Sequence, residues 1–85
     1  MQNVYYTNSG CADCQKVDRW LFEFAAMMPE LKPAIESFER VEVQADDASA
    51  RPLPAFFVDG ELAHEGPVSK RRLLAIVQEV WQCLM

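Results

Sequence analysis

Asp59-Gly60 is the feature that most narrows the folds open to this chain. A two-residue hairpin turn needs positive φ at both central residues, and Asp-Gly meets that demand. Pro54-Ala55-Phe56-Phe57-Val58 precedes it and Glu61-Leu62-Ala63-His64 follows. The pattern predicts a strand that begins with proline, a tight turn and an antiparallel return strand. Proline is tolerated at a first strand position, where it need not donate to the ladder.

The other elements follow from spacing. Val4-Tyr5-Tyr6-Thr7 is β-branched and aromatic without clean alternation, which predicts a strand buried on both faces. Asn8-Ser9-Gly10 breaks it. Val17, Leu21, Phe24 and Met28 then recur at helical spacing, predicting a helix from about Cys11 to Met28. Pro29 lacks an amide donor and stops or kinks it. Leu31, Ala34, Ile35 and Phe38 repeat the spacing, so a second helical piece follows, with Pro33 in its first turn. Arg40-Val41-Glu42-Val43-Gln44 alternates as a half-buried strand does. Ala45 to Leu53 is small, polar and proline-containing, and reads as a loop. After Gly66-Pro67, Leu73, Ile76 or Val77, Val80 and Leu84 mark a final helix from about Val68 or Ser69 to Leu84, capped by Ser69. The order is β-α-(α)-β-β-β-α.

Composition bounds the function. The chain has 85 residues, enough for one small domain and no second one for substrate capture. A net charge of −5 argues against a phosphate-binding surface, although Lys70, Arg71 and Arg72 adjoin. Three cysteines are too few and too odd a number for a disulfide-stapled secreted scaffold. The N-terminal residues lack the pattern of a signal peptide. The apolar run Trp20 to Met28 falls far short of the roughly 20 residues of a membrane span. The expected setting is cytoplasmic, with no nucleic acid and no membrane.

The chemistry centres on Cys11-Ala12-Asp13-Cys14. A helix start gathers unpaired amides and the positive end of the dipole, which draw a thiol toward thiolate. The thiolate attacks in disulfide exchange, so Cys11 is the expected nucleophile. Cys14, one turn deeper, is placed to resolve a mixed disulfide. Asp13 opposes thiolate formation, and Lys16 can offset that charge. A C-x-x-C also occurs in zinc sites, and Cys11, Cys14, His64 and Cys83 would make a Cys₃His set. The plainer expectation has His64 on the hairpin surface and Cys83 as a bystander near the end of the last helix. Pro54 is open to two readings. An ordinary trans-proline satisfies the strand start, whereas a cis-proline facing the cysteine pair would let Leu53 offer its backbone to an extended substrate.

Tyr6-Thr7-Asn8-Ser9-Gly10-Cys11-Ala12-Asp13-Cys14 resembles the strand-loop-helix opening of glutaredoxins and small thioredoxin-like proteins. Leu53 to Gly60 resembles their cis-proline strand and hairpin. The resemblance implies an α/β thioredoxin-like fold with a four-stranded mixed sheet. The helix that the family sets between the second and third strands would be reduced or absent here. It also implies a thiol–disulfide oxidoreductase with Cys11 and Cys14 as the redox pair. Gly10, Ala12, Asp13, Leu53 and Pro54 would line the substrate groove. No metal or organic cofactor is implied, only electrons from an external reductase or thiol. The partners would be a disulfide-containing protein or small thiol and a reductase, acting on a monomer. A non-catalytic adaptor or redox sensor on the same fold is the alternative. Two departures from the family matter. Tyr5 and Tyr6 stand where thioredoxins carry a buried acid, and the Pro-Tyr that glutaredoxins place between their cysteines is Ala12-Asp13.

Overall fold

The computed structural model describes residues 2–43 and 52–85 of the chain. Strand β1 spans Asn3–Thr7, helix α1 Ala12–Met27, a 3₁₀ turn Pro29–Leu31, helix α2 Lys32–Glu36 and strand β2 Phe38–Glu42. Strand β3 spans Ala55–Val58, strand β4 Glu61–Glu65 and helix α3 Lys70–Leu84. The result is a small α/β domain whose mixed sheet has the order β2-β1-β3-β4. β1 is parallel to β2 and antiparallel to β3, and β3 is antiparallel to β4.

One face of the sheet makes the core. Tyr5 and Phe56 lie opposite each other in the β1–β3 register, with rings stacked 4.9 Å apart. Val17 and Phe24 from α1 and Leu73 and Ile76 from α3 join them in one buried cluster. Leu31, Ala34, Val77 and Val80 form a second cluster that packs the short α2 against α3. Both long helices therefore cover the same face as Tyr5. β1 alternates accordingly: Asn3, Tyr5 and Thr7 are buried, while Val4 and Tyr6 are half-buried. This corrects the expectation of a strand buried on both faces. The interior strand carries helices on its Tyr5 face, and two aromatic residues in succession hid the period of two.

Asp59 and Gly60 have φ of 53° and 83°, the pair of positive values that a two-residue turn demands. Asn3 braces the turn by accepting from the Asp59 amide at 3.0 Å and donating to Ser37 at 2.9 Å. The Leu53–Pro54 peptide is cis. Ladder pairing begins one residue later, at Ala55.

Two boundaries differ from expectation. Phe38 belongs to β2 rather than to the second helical piece, and β2 ends at Glu42. Ser37 closes α2 by donating its hydroxyl to the Ala34 carbonyl at 2.6 Å, which frees Phe38 to pair with Asn3. The Phe38 ring then meets the edge of Phe56. Residues 44–51, the expected last strand residue Gln44 and most of the loop expected from Ala45 to Leu53, lie outside the described residues. Among the described residues no helix is long and apolar enough to cross a membrane.

Candidate functional site

β1 delivers the chain to the N-terminus of α1 through a three-residue loop organised by Asn8. The Asn8 side chain donates to the Val43 carbonyl at 2.7 Å and accepts from the Gly10 amide at 2.8 Å. Its own carbonyl accepts from the Cys11 amide at 3.0 Å. One side chain thus ties the loop to the residue after β2 and bends it toward α1. Gln15 adds a bond from its amide to the Ser9 carbonyl.

α1 begins at Ala12, so Cys11 is its N-cap and not a first-turn residue. Its backbone is extended, and its sulfur accepts from the Cys14 amide at 3.2 Å. A thiol therefore does the work that Ser, Thr or Asp does at most helix starts. That hydrogen bond strengthens as the sulfur gains negative charge. Cys11 is half-buried, whereas Cys14 is 1% exposed. The two cysteines come within 2.7 Å of one another as free thiols. Burial, and then the hydrogen bond to Cys11, pushes the Cys14 thiol up to about 11. Hydrogen bonding from the Thr7 side chain and the Asn8 backbone pulls the other way.

The remaining predicted residues divide. Gly10 and Ala12 flank Cys11 and are exposed. Asp13 occupies the first turn of α1, where its charge suits the dipole. Lys16 stands 3.9 Å from it, a solvent-facing pair worth roughly 0–1 kcal/mol. The β1–β3 register ends at Tyr6–Ala55, which puts Pro54 at the end of the sheet where Thr7 leads into the Cys11 loop. Pro54 is buried and Leu53 half-buried. His64 and Cys83 do not join the pair. Among the described residues no three His, Cys, Asp or Glu side chains are grouped to hold a metal. The His64 ring bonds the Pro67 carbonyl at 3.0 Å. Cys83 is exposed and lines a surface cavity of about 380 Å³ with Arg72 and Glu79. That cavity contains none of the residues expected to bind substrate.

Sequence reasoning missed Asn8 as the loop's organiser and missed the polar chain behind Cys14. Tyr5, Thr7 and Asp18 meet there, and Arg40 closes on Asp18 at 3.1 Å. Two periodicities point to them. Tyr5 and Thr7 share a strand face at i, i+2, and Cys14 and Asp18 share a helix face at i, i+4.

No family model and no curated protein matches the chain. Among solved structures, one described as "Structure of a malarial protein" is similar at 14% identity, covering 91% of this chain and 92% of that one, with a TM-score of 0.49.

Proposed function

We propose that the protein is a thioredoxin-like thiol–disulfide oxidoreductase working through Cys11 and Cys14. The observation that carries this reading is the pairing of two unlike thiols at one helix start. The accessible one receives an amide hydrogen bond, and the other is buried directly behind it. The sheet order, and the place of Pro54 at the end of the sheet from which Thr7 leads to the pair, support the thioredoxin-like assignment.

In the forward direction the Cys11 thiolate attacks one sulfur of a substrate disulfide. A Cys11 mixed disulfide forms and the other substrate sulfur leaves as thiolate. Cys14 then loses its proton and attacks the Cys11 sulfur. The Cys11–Cys14 disulfide forms and the second substrate thiolate leaves. Two electrons have passed to the substrate, and an external thiol or reductase restores the dithiol. No cofactor takes part. Gly10, Ala12, Asp13, Leu53 and Pro54 border the approach to Cys11, and Lys16 moderates the charge of Asp13.

Mass spectrometry of a Cys14→Ser variant tests the reading. Mixed with a disulfide substrate, it should accumulate one adduct on Cys11. An adduct that forms no faster on Cys11 than on Cys83 would sink the proposal. A wild-type protein that forms the internal disulfide but does not turn over would favour a redox sensor.

A further inference from the structure

Resolution poses a problem that the dithiol alone does not solve. Cys14 must shed its proton before it attacks, yet it is 1% exposed and its burial favours the thiol. Three side chains lead from beside its sulfur to the surface. The Thr7 hydroxyl, wholly buried, neighbours the Cys14 sulfur and favours its thiolate. The Tyr5 hydroxyl lies 3.3 Å from that of Thr7, on a residue that is 2% exposed. The Tyr5 hydroxyl also lies 3.4 Å from the Asp18 carboxylate and 3.2 Å from the Cys14 carbonyl. Asp18 reaches solvent, its side chain 41% exposed. Arg40, opposite Tyr5 in the β1–β2 register, holds its carboxylate at 3.1 Å. The charged or titratable groups at this junction are therefore Cys11 at the cap of α1, Asp18 from α1, Tyr5 from β1 and Arg40 from β2.

We propose that Thr7, Tyr5 and Asp18 form the route by which the Cys14 proton leaves during resolution of the mixed disulfide. The proposal rests on the thiol–disulfide reading above. Hydroxyls both donate and accept, so the chain has two polarities. With Cys14 as thiol, Cys14 donates to Thr7, Thr7 to Tyr5 and Tyr5 to Asp18. With Cys14 as thiolate, Tyr5 donates to Thr7 and Thr7 to sulfur. One proton passing outward converts the first into the second. The S–H bond breaks, each hydroxyl takes one proton and gives one, and the Asp18 carboxyl formed at the end releases a proton to water. The sulfur keeps the electron pair with which it attacks Cys11. The substrate disulfide is the oxidant. Thr7 touches a reacting atom, whereas Tyr5 and Asp18 act through it as positioning residues.

Stopped-flow reaction with Ellman's reagent in a Cys83→Ser background separates the steps. The first thionitrobenzoate released reports attack by Cys11, and the second reports resolution by Cys14. Tyr5→Phe, Thr7→Val and Asp18→Asn should leave the first phase within about twofold and slow the second about 100-fold, the lower end of general acid–base effects. Thr7→Ser, which keeps the hydroxyl, should restore it. Asp18 lies at the surface, so its variant remains informative if a core variant fails to fold. A second phase unchanged in folded variants, or both phases slowed alike, overturns the relay. A wild-type second phase that persists in Cys14→Ser overturns the dithiol reading and the relay with it.

Discussion

Asn8→Ala tests how the loop before Cys11 is built. The substitution removes the 2.7 Å bond to the part-buried Val43 carbonyl and the 2.8 Å bond from the exposed Gly10 amide. The Gly10 amide can turn to water, so its loss costs about 0.5 kcal/mol. The Val43 carbonyl is left short of a partner in a half-buried setting, which costs about 1–2 kcal/mol. The sum is about 2 kcal/mol, or a fall in Tm of roughly 8–16 °C for a domain of this size. Urea unfolding of the reduced protein measures it, and an unchanged m-value assigns it to the folded state. Asn8→Asp separates the two bonds. It still accepts from Gly10 but cannot donate to Val43, so it should lose at least half as much stability. The rate at which Cys11 takes up Ellman's reagent should fall in both variants, because the loop no longer holds Cys11 at the helix cap. The reasoning is refuted if Asn8→Ala stays within about 0.5 kcal/mol of wild type, the ordinary range of surface substitutions, with Cys11 equally reactive.

Other outcomes follow from the core and from Cys14. Below the ordinary thiol value of 9.0 both folded and unfolded chains keep the Cys14 proton. As pH rises from there to about 11 the unfolded chain loses it first, so the reduced protein loses stability across that window. Thermal melts of Cys14→Ala over the same range should lack this part of the decline, and parallel curves would refute it. Leu73→Ala, in the middle of the Tyr5–Phe56 cluster and fully buried, should cost about 3 kcal/mol in urea unfolding. Ser69→Ala removes the 3.1 Å cap on the Arg72 amide and should cost about 1 kcal/mol by the same measurement.

What the sequence announced was local. The Asp59-Gly60 turn, the Ser69 cap and the apolar stripes of α1 and α3 each depend on neighbours a few residues away, and each stands where its pattern put it. The cysteine pair at a helix start was legible for the same reason, although Cys11 caps the helix instead of entering it. Phe38 misled because i, i+3, i+4 and i+7 spacing extends naturally from Leu31. Nothing near it in sequence reveals that Asn3 awaits it across the sheet. Tyr5 and Thr7 read only as strand residues suited to a pleated core. Their hydroxyls acquire meaning from Cys14 and Asp18, which the fold brings over them from α1. Asn8 read as a strand breaker, and its bond to Val43 spans 35 positions of chain.

The central claim is that Cys11 and Cys14 exchange electrons with a substrate disulfide. Reduction of insulin disulfides by dithiothreitol, followed with and without catalytic amounts of the protein, tests it most directly. The wild type and Cys83→Ser should accelerate the reaction equally, while Cys11→Ser should run at the uncatalysed rate. Equal rates for wild type and Cys11→Ser would contradict it.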